Sequence, residues 1–226
     1  MSSIPKHFLN ASEYLAFERR SQFRSEFYQG EMFAMTGASR KHNLITLNIA
    51  RRISEALDNR PCETYSNDMR VKVSLSGLYT YPDVVATCES PQFEDDFVDT
   101  LLNPQAIVEV LSESTESYDR GKKFAHYRRI PSLKDYLLVS QDRVMVEHYM
   151  REPNNRWLLT ETSQLEDSVN LLSIDCRLRL ADIYAKVDLS LPETEDTKEV
   201  NQGASKSDPG AMDSISGERP TENYQS

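Results

Sequence analysis

Two carboxylates set in apolar strands dominate the chemistry this sequence could perform. The run Gln105-Ala-Ile-Val-Glu-Val-Leu-Ser112 reads as a continuous buried strand, yet Glu109 stands at its centre. An ionised carboxylate left alone in an apolar interior costs more than folding can offset, so it must be protonated, paired or bound to a metal. A second apolar run, Tyr81-Pro-Asp-Val-Val-Ala-Thr87, carries Asp83 just after Pro82, at a strand entrance where proline is tolerated. Hard cations such as Mg2+ or Mn2+ take oxygen ligands, typically one or two carboxylates with carbonyl and water oxygens. Asp83, Glu109 and the backbone carbonyl of Val110 would supply such a set. The plainer alternative is that Glu109 faces a solvated side or pairs with an arginine. Asp83 and a downstream lysine cluster shift the balance toward a metal.

That cluster is Asp119-Arg-Gly-Lys-Lys-Phe-Ala-His-Tyr127. Asp119 and Lys123 are four apart and share a helix face, Tyr127 follows one turn on, and Lys122 points elsewhere. Taken alone this is an ordinary exposed ion pair. Beside two metal-bound carboxylates, Lys123 could hold an attacking water and offset charge on a phosphoryl group. Glu31, just after a hairpin turn, and Glu26, on the strand before it, are candidate outer ligands or ordinary strand residues. His42 opens a long helix, where an imidazole can shuttle a proton or contact a phosphate; a capping or surface histidine is the alternative. His7, His126 and His148 share no metal-ligand spacing. There is no Gly-rich phosphate loop and no Gly-x-Ser-x-Gly elbow, so nucleotide-cofactor and serine-hydrolase readings lack support.

The elements that must position these groups follow from periodicity and punctuation. Residues 10–20 read as a short helix capped by Asn10, with Glu13 three residues on. Residues 25–34 alternate around Gln29-Gly30, a hairpin signal. Residues 39–57 form a long amphipathic helix whose apolar side takes Leu44, Ile45, Leu47, Ile49, Ile53, Ala56 and Leu57. Arg40, Lys41, Arg51 and Arg52 on it could touch a phosphate backbone or simply face water. Strands are expected at 63–66, 69–75, 83–87 and 106–112, a helix over 118–129 stopped by Pro131, strands at 135–140, 143–150 and 157–162, and a last helix at 180–186. The fold class is α/β, a mixed β-sheet flanked by helices.

A chain of 226 residues suits one domain with an appendage. Residues 1–190 form that domain. From Leu191 on, eight acidic residues oppose three basic ones with almost no large apolar side chain, so 191–226 reads as a disordered acidic tail. The formal net charge of −10 argues against a sequence-blind nucleic-acid coat, but carboxylate-rich metal sites themselves make a domain acidic. No apolar run is long enough to cross a membrane. Cys62, Cys88 and Cys176 are odd in number and far apart, which speaks against a disulfide framework. Each is expected to be a small buried or half-buried apolar residue in a cytoplasmic protein.

The ordered set Glu-Phe-Tyr-Gln-Gly-Glu31, His42, Tyr-Pro-Asp83-Val-Val, Ile-Val-Glu109-Val-Leu-Ser and Asp119-Arg-Gly-Lys-Lys123-Phe-x-x-Tyr127 resembles the Uma-type family of restriction endonucleases, within the PD-(D/E)XK nuclease superfamily. The resemblance covers roughly residues 13–185. It implies a restriction-endonuclease-like core, dependence on a divalent metal, and hydrolysis of phosphodiester bonds. By position, Asp83 matches the motif aspartate and Glu109 its second acidic residue. The motif lysine would stand two places after Glu109, where this chain has Leu111; Lys123, on the following helix, is the matching lysine.

The leading expectation is therefore a Mg2+- or Mn2+-dependent nuclease acting on DNA, with a homodimer as the simplest way to break both strands. A catalytically inactive nuclease-fold binding or interaction protein predicts metal binding without turnover. A carboxylate-pair hydrolase of another substrate, such as a glycosidase, predicts activity that persists in chelator.

Overall fold

In the computed structural model, which describes residues 8–190, the chain opens on a helix for a local reason. Asn10 accepts from the Glu13 N–H while the Glu13 carboxylate takes the Asn10 N–H, a capping box on α1 (Ala11–Glu18). Gln29 and Gly30 adopt φ of 50° and 85°, the turn geometry that matches strand twist in a two-residue hairpin, and join β1 (Ser25–Tyr28) to β2 (Glu31–Ala34). Ser39 caps α2 (Arg40–Leu57) by accepting the His42 N–H. Ile45, Ile49, Ile53 and Leu57 repeat every four residues along α2 and are all buried. Leu47 and Ala56, expected on the apolar side, are exposed, because the buried stripe is narrowed to that row and the adjacent Thr46.

The strands β3 (Glu63–Ser66), β4 (Arg70–Val73), β5 (Leu78–Thr80), β6 (Val84–Thr87), β7 (Thr100–Leu101) and β8 (Ala106–Leu111) follow. The expected helix over 118–129 is instead built in three pieces: α3 (Glu116–Tyr118), a π-helical turn over Asp119–Lys123, and α4 (Phe124–Tyr127). It stops before Pro131, as proline requires. The strands β9 (Asp135–Ser140), β10 (Val146–Arg151) and β11 (Trp157–Thr162) lead to a hairpin that sequence reading missed, β12 (Ser168–Leu171) with β13 (Cys176–Arg179), and to α5 (Leu180–Ile183).

The principal sheet has six strands in the order β11-β10-β9-β8-β6-β3. It is mixed: β8 and β9 run parallel while β6 and β8 are antiparallel. A second sheet has the order β2-β1-β5-β4-β7. Alternation along β8 sends Ala106, Val108 and Val110 to a core shared with α2, β13 and α5. It sends Ile107 and Leu111 to the opposite face, where Val71, Val73 and Leu78 of the second sheet meet Phe124 and Tyr127. Glu109 belongs to this second face by parity. The class is α/β, mixed sheets with flanking helices.

The cysteine expectation needs correction. The register Glu63↔Thr87 sets Cys62 directly opposite Cys88, with Cα atoms 4.0 Å apart, and the two form a disulfide. Spacing along the chain hid a pair that antiparallel register brings together, and the cysteines no longer argue for a reducing compartment. Cys176 is buried and free as expected. Among the described residues no helix is long and apolar enough to cross a membrane. The expected tail, 191–226, lies outside the described residues.

Candidate active site

The same ladder that buries the sheet brings Asp83 to Glu109. Pairing Val84 with Val108 and Val85 with Ile107, the register carried one residue further sets Asp83 opposite Glu109 and, one more, Pro82 opposite Val110. The Asn67 N–H donates to the Asp83 carbonyl at 3.1 Å, so Asp83 continues the ladder with the β3 side. The Val110 N–H donates to Asp83 Oδ2 at 2.7 Å, taking the side chain in place of a Pro82 carbonyl. A strand residue's N–H and C=O lie along the same edge, which directs the Val110 carbonyl to the side where Pro82 has no N–H to offer. The expected strand carboxylates and this carbonyl therefore converge at one corner of the sheet.

His42 reaches the same corner. Its Nε2 is 2.8 Å from Asp83 Oδ1, and its position is fixed by the Ser39 cap, whose hydroxyl donates to Gln141 Oε1 at 2.8 Å. The start of α2 is thereby pinned to the loop after β9. Arg51 and Arg52, weighed as phosphate contacts, are instead engaged with Glu55 and, for Arg52, with Asp182.

Lys123 comes to Glu109 from the π-helical turn. Its Nζ is 2.9 Å from Glu109 Oε1, 3.3 Å from Glu26 Oε1 and 3.5 Å from Asp119 Oδ1. The turn has a purpose in this placement. In a regular α-helix, residues eight apart are rotated by about 80°, whereas here Asp119, Lys123 and Tyr127 are all buried on one side. Widened π turns of this kind recur at functional sites. Two places after Glu109 on β8, Leu111 packs into the core, and the lysine beside Glu109 comes from the helix. Lys122 is exposed.

Sequence weighed Glu26 and Glu31 together; Glu26 is the one seen beside Lys123. Its Oε1 also accepts from Thr80 Oγ1. Glu31 pairs with Tyr28 and Phe33 with Glu26 across the hairpin, so Glu31 shares the Glu26 face one step nearer the turn. Tyr127 was missed as a site residue. Its hydroxyl donates to Glu109 Oε1 at 2.7 Å, and the signals in sequence were its place one turn beyond Lys123 and at the end of the Asp119-to-Tyr127 pattern.

The electrostatics follow from burial. Glu109 is 4% exposed, and burial raises its carboxyl well above the usual range, against the pull of Lys123 and with a push from Asp119 and Asp83. Burial likewise raises Asp119. For Lys123 burial acts downward, but Glu109, Tyr127, Glu26 and Asp119 outweigh it and hold the ammonium above its ordinary value. Burial pushes Tyr118, near the same acids, up to about 12. One ammonium thus faces several acids, a shortage of positive charge that a divalent cation would relieve.

The donor chemistry fits magnesium or manganese: two carboxylates opposite each other and a carbonyl without a ladder donor, all hard oxygens. Among the described residues no group of three or more His, Cys, Asp and Glu side chains is arranged to hold a metal ion. Magnesium does not require one, since it keeps several waters and is commonly held through one or two carboxylates plus substrate phosphates.

Residues 11–181 match the Uma2 family, described as "Putative restriction endonuclease". Two relatives come from Synechocystis sp. (strain ATCC 27184 / PCC 6803 / Kazusa). "Uncharacterized protein sll1609" is 42% identical over 153 residues, 68% of this chain and 86% of the relative. "Uncharacterized protein slr1290" is 35% identical over 187 residues, 80% of this chain and 94% of the relative. A crystal structure of a "putative nuclease" from Anabaena variabilis ATCC 29413 superposes with a TM-score of 0.64 at 16% identity, covering 77% of this chain and 96% of that one. At that identity the likeness speaks for the fold.

Proposed function

The chain belongs to the Uma2 family, described as "Putative restriction endonuclease", and from that premise we propose that it is a Mg2+- or Mn2+-dependent endonuclease hydrolysing phosphodiester bonds of DNA. One observation carries the reading: Lys123 Nζ stands 2.9 Å from Glu109 Oε1, and Glu109 lies opposite Asp83 in the β6–β8 register. This reunites the two acids and the lysine that the PD-(D/E)XK pattern needs, although the lysine comes from a different element.

Asp83, Glu109 and the Val110 carbonyl would hold the cation. When bound, it polarises a phosphoryl oxygen and lowers the pKa of a coordinated water. Lys123, steadied by Glu26 and Asp119, orients the attacking water and offsets charge building on the phosphoryl group. His42 orients Asp83 from the start of α2, and Glu31 extends the acidic edge from the hairpin. A break in both strands is most simply made by two copies, hence a homodimer.

The test is cleavage of plasmid and linear DNA by purified protein in magnesium or manganese, alongside EDTA and Glu109→Ala. Cleavage lost in both controls supports the reading. Intact DNA in every lane, from folded protein that binds metal, favours a nuclease-fold binding protein instead. That second reading draws on the engagement of both Asp83 oxygens, by His42 and by the Val110 N–H. Cleavage that persists in EDTA contradicts the metal requirement.

A further inference from the structure

We infer that Tyr127 is a positioning residue of this site, holding Glu109 by one oxygen so that the other is presented to a divalent cation. The inference rests on the nuclease reading for its purpose, but its geometry stands independently. Both close contacts of Glu109, from Tyr127 OH at 2.7 Å and from Lys123 Nζ at 2.9 Å, fall on Oε1. An oxygen that already accepts two strong donors is poorly placed to bind a cation as well, so Oε2 is the coordinating atom.

The direction of the tyrosine proton is settled by its neighbours. Thr80 Oγ1 lies 3.5 Å from Tyr127 OH, but the Thr80 proton is committed to Glu26 Oε1. Thr80 therefore has no proton to give Tyr127, and of the two acceptors within reach of the tyrosine hydroxyl Glu109 Oε1, at 2.7 Å, is by far the nearer. The ring that carries this hydroxyl is fully buried and packs against Tyr136, with ring centroids 5.4 Å apart, so it has no freedom to turn away. Thr80, Glu26, Lys123, Tyr127 and Glu109 form one chain of contacts that ends on the carboxylate. Groups that orient a metal ligand in this way commonly contribute about 10- to 100-fold to metal affinity or activity.

The test is Tyr127→Phe, which keeps the ring and its packing and removes only the donor. Mn2+ binding is read by electron paramagnetic resonance on the full chain without DNA, thermal unfolding is read without metal, and plasmid cleavage is followed in parallel. The expected result is Mn2+ binding weakened about tenfold, a comparable rise in the Mn2+ concentration needed for half-maximal cleavage, and DNA affinity in EDTA unchanged. The Mn2+ result supports the inference whether or not DNA is cut, so failure of the nuclease reading shows separately as metal-loaded wild type that leaves DNA intact. Unaltered Mn2+ affinity, with or without a lowered melting temperature, means Tyr127 serves packing alone and overturns the inference. Wild-type protein that binds no Mn2+ overturns it together with the metal site.

Discussion

Adjacent parallel strands of the six-stranded sheet each bury a carboxylate, at opposite ends. Asp135 opens β9, and hydrogen-bonding neighbours close it off on both oxygens. Oδ1 meets His148 Nε2 at 2.7 Å, and Oδ2 accepts from the Ser173 N–H at 3.1 Å and from the Ser173 hydroxyl. Both of its oxygens are served. Glu109, near the far end of β8, meets both of its close partners on a single oxygen and sits beside further acids, Glu26, Asp119 and Asp83. A carboxylate–histidine pair occurs at each end, but His148–Asp135 is nearly sealed from solvent, at 7% and 1% side-chain exposure, whereas His42–Asp83 keeps 15% and 17%. Burial of a carboxylate therefore does not by itself mark a working site. What distinguishes the Glu109 end is a buried Asp119 oxygen without a hydrogen-bond partner, several acids around one ammonium, and access to solvent.

Stability measurements sharpen this contrast most strongly. Asp135→Ala strands the buried His148 and unpairs the half-buried Ser173, and is expected to cost about 3 kcal/mol or more in urea unfolding. Glu109→Gln leaves Lys123 with Glu26 and Asp119 and removes a carboxyl that burial disfavours, so its expected cost is below about 1 kcal/mol. Equal losses for the two variants would break the distinction.

Next in size is the disulfide. Cys62–Cys88 closes a separation of 26 residues, for which loop entropy gives about 3 kcal/mol. It staples one end of the β3–β6 ladder while Asn67 holds the Asp83 carbonyl at the other. The Cys62→Ser, Cys88→Ser double variant should lose that stability relative to wild type in oxidising buffer and match wild type in reducing buffer, where the cross-link is open. Its Mn2+ affinity should stay unaltered, because the main-chain contact of Asp83 lies at the other end.

The smallest effect concerns pH. Asp99, bound by Arg19 and Arg70, is held well below the usual carboxylate range, first by the Arg19 hydrogen bonds and against burial. A folded-state value below the unfolded one contributes stability that is present above about pH 4 and is lost as pH falls toward the folded value. Asp99→Asn should flatten the acid limb of an unfolding-versus-pH curve below about pH 4 while leaving the limb above neutrality unmoved. An unchanged acid limb would show that this partly exposed pair is screened.

Much of this site was legible in the residues because its signals are local. A glutamate inside an apolar run and an aspartate behind a proline need no tertiary knowledge to look unusual, and the Asn10 capping box and the Gln29-Gly30 turn are complete within a few residues. What escaped reading depends on register and on helix winding. The Cys62–Cys88 pair and the choice of Glu26 beside Lys123 follow from which residues stand opposite one another across strands, and sequence spacing does not carry that. The π turn over Asp119–Lys123 escaped as well, because Asp119 and Lys123 share a face on any helix and only the inclusion of Tyr127 reveals the wider turn. Asp135 passed unnoticed at a strand start, where a carboxylate is unremarkable until Ser173 and His148 are folded against it.

The most direct test of the central claim, that a lysine from the helix completes the acid pair of the sheet, is single-turnover cleavage of plasmid DNA in magnesium by Lys123→Ala beside wild type and Asp135→Ala, each corrected for folded fraction. Lys123→Ala should fall by about 100-fold or more, with an unchanged rate per folded molecule for Asp135→Ala. A full rate from Lys123→Ala would contradict it.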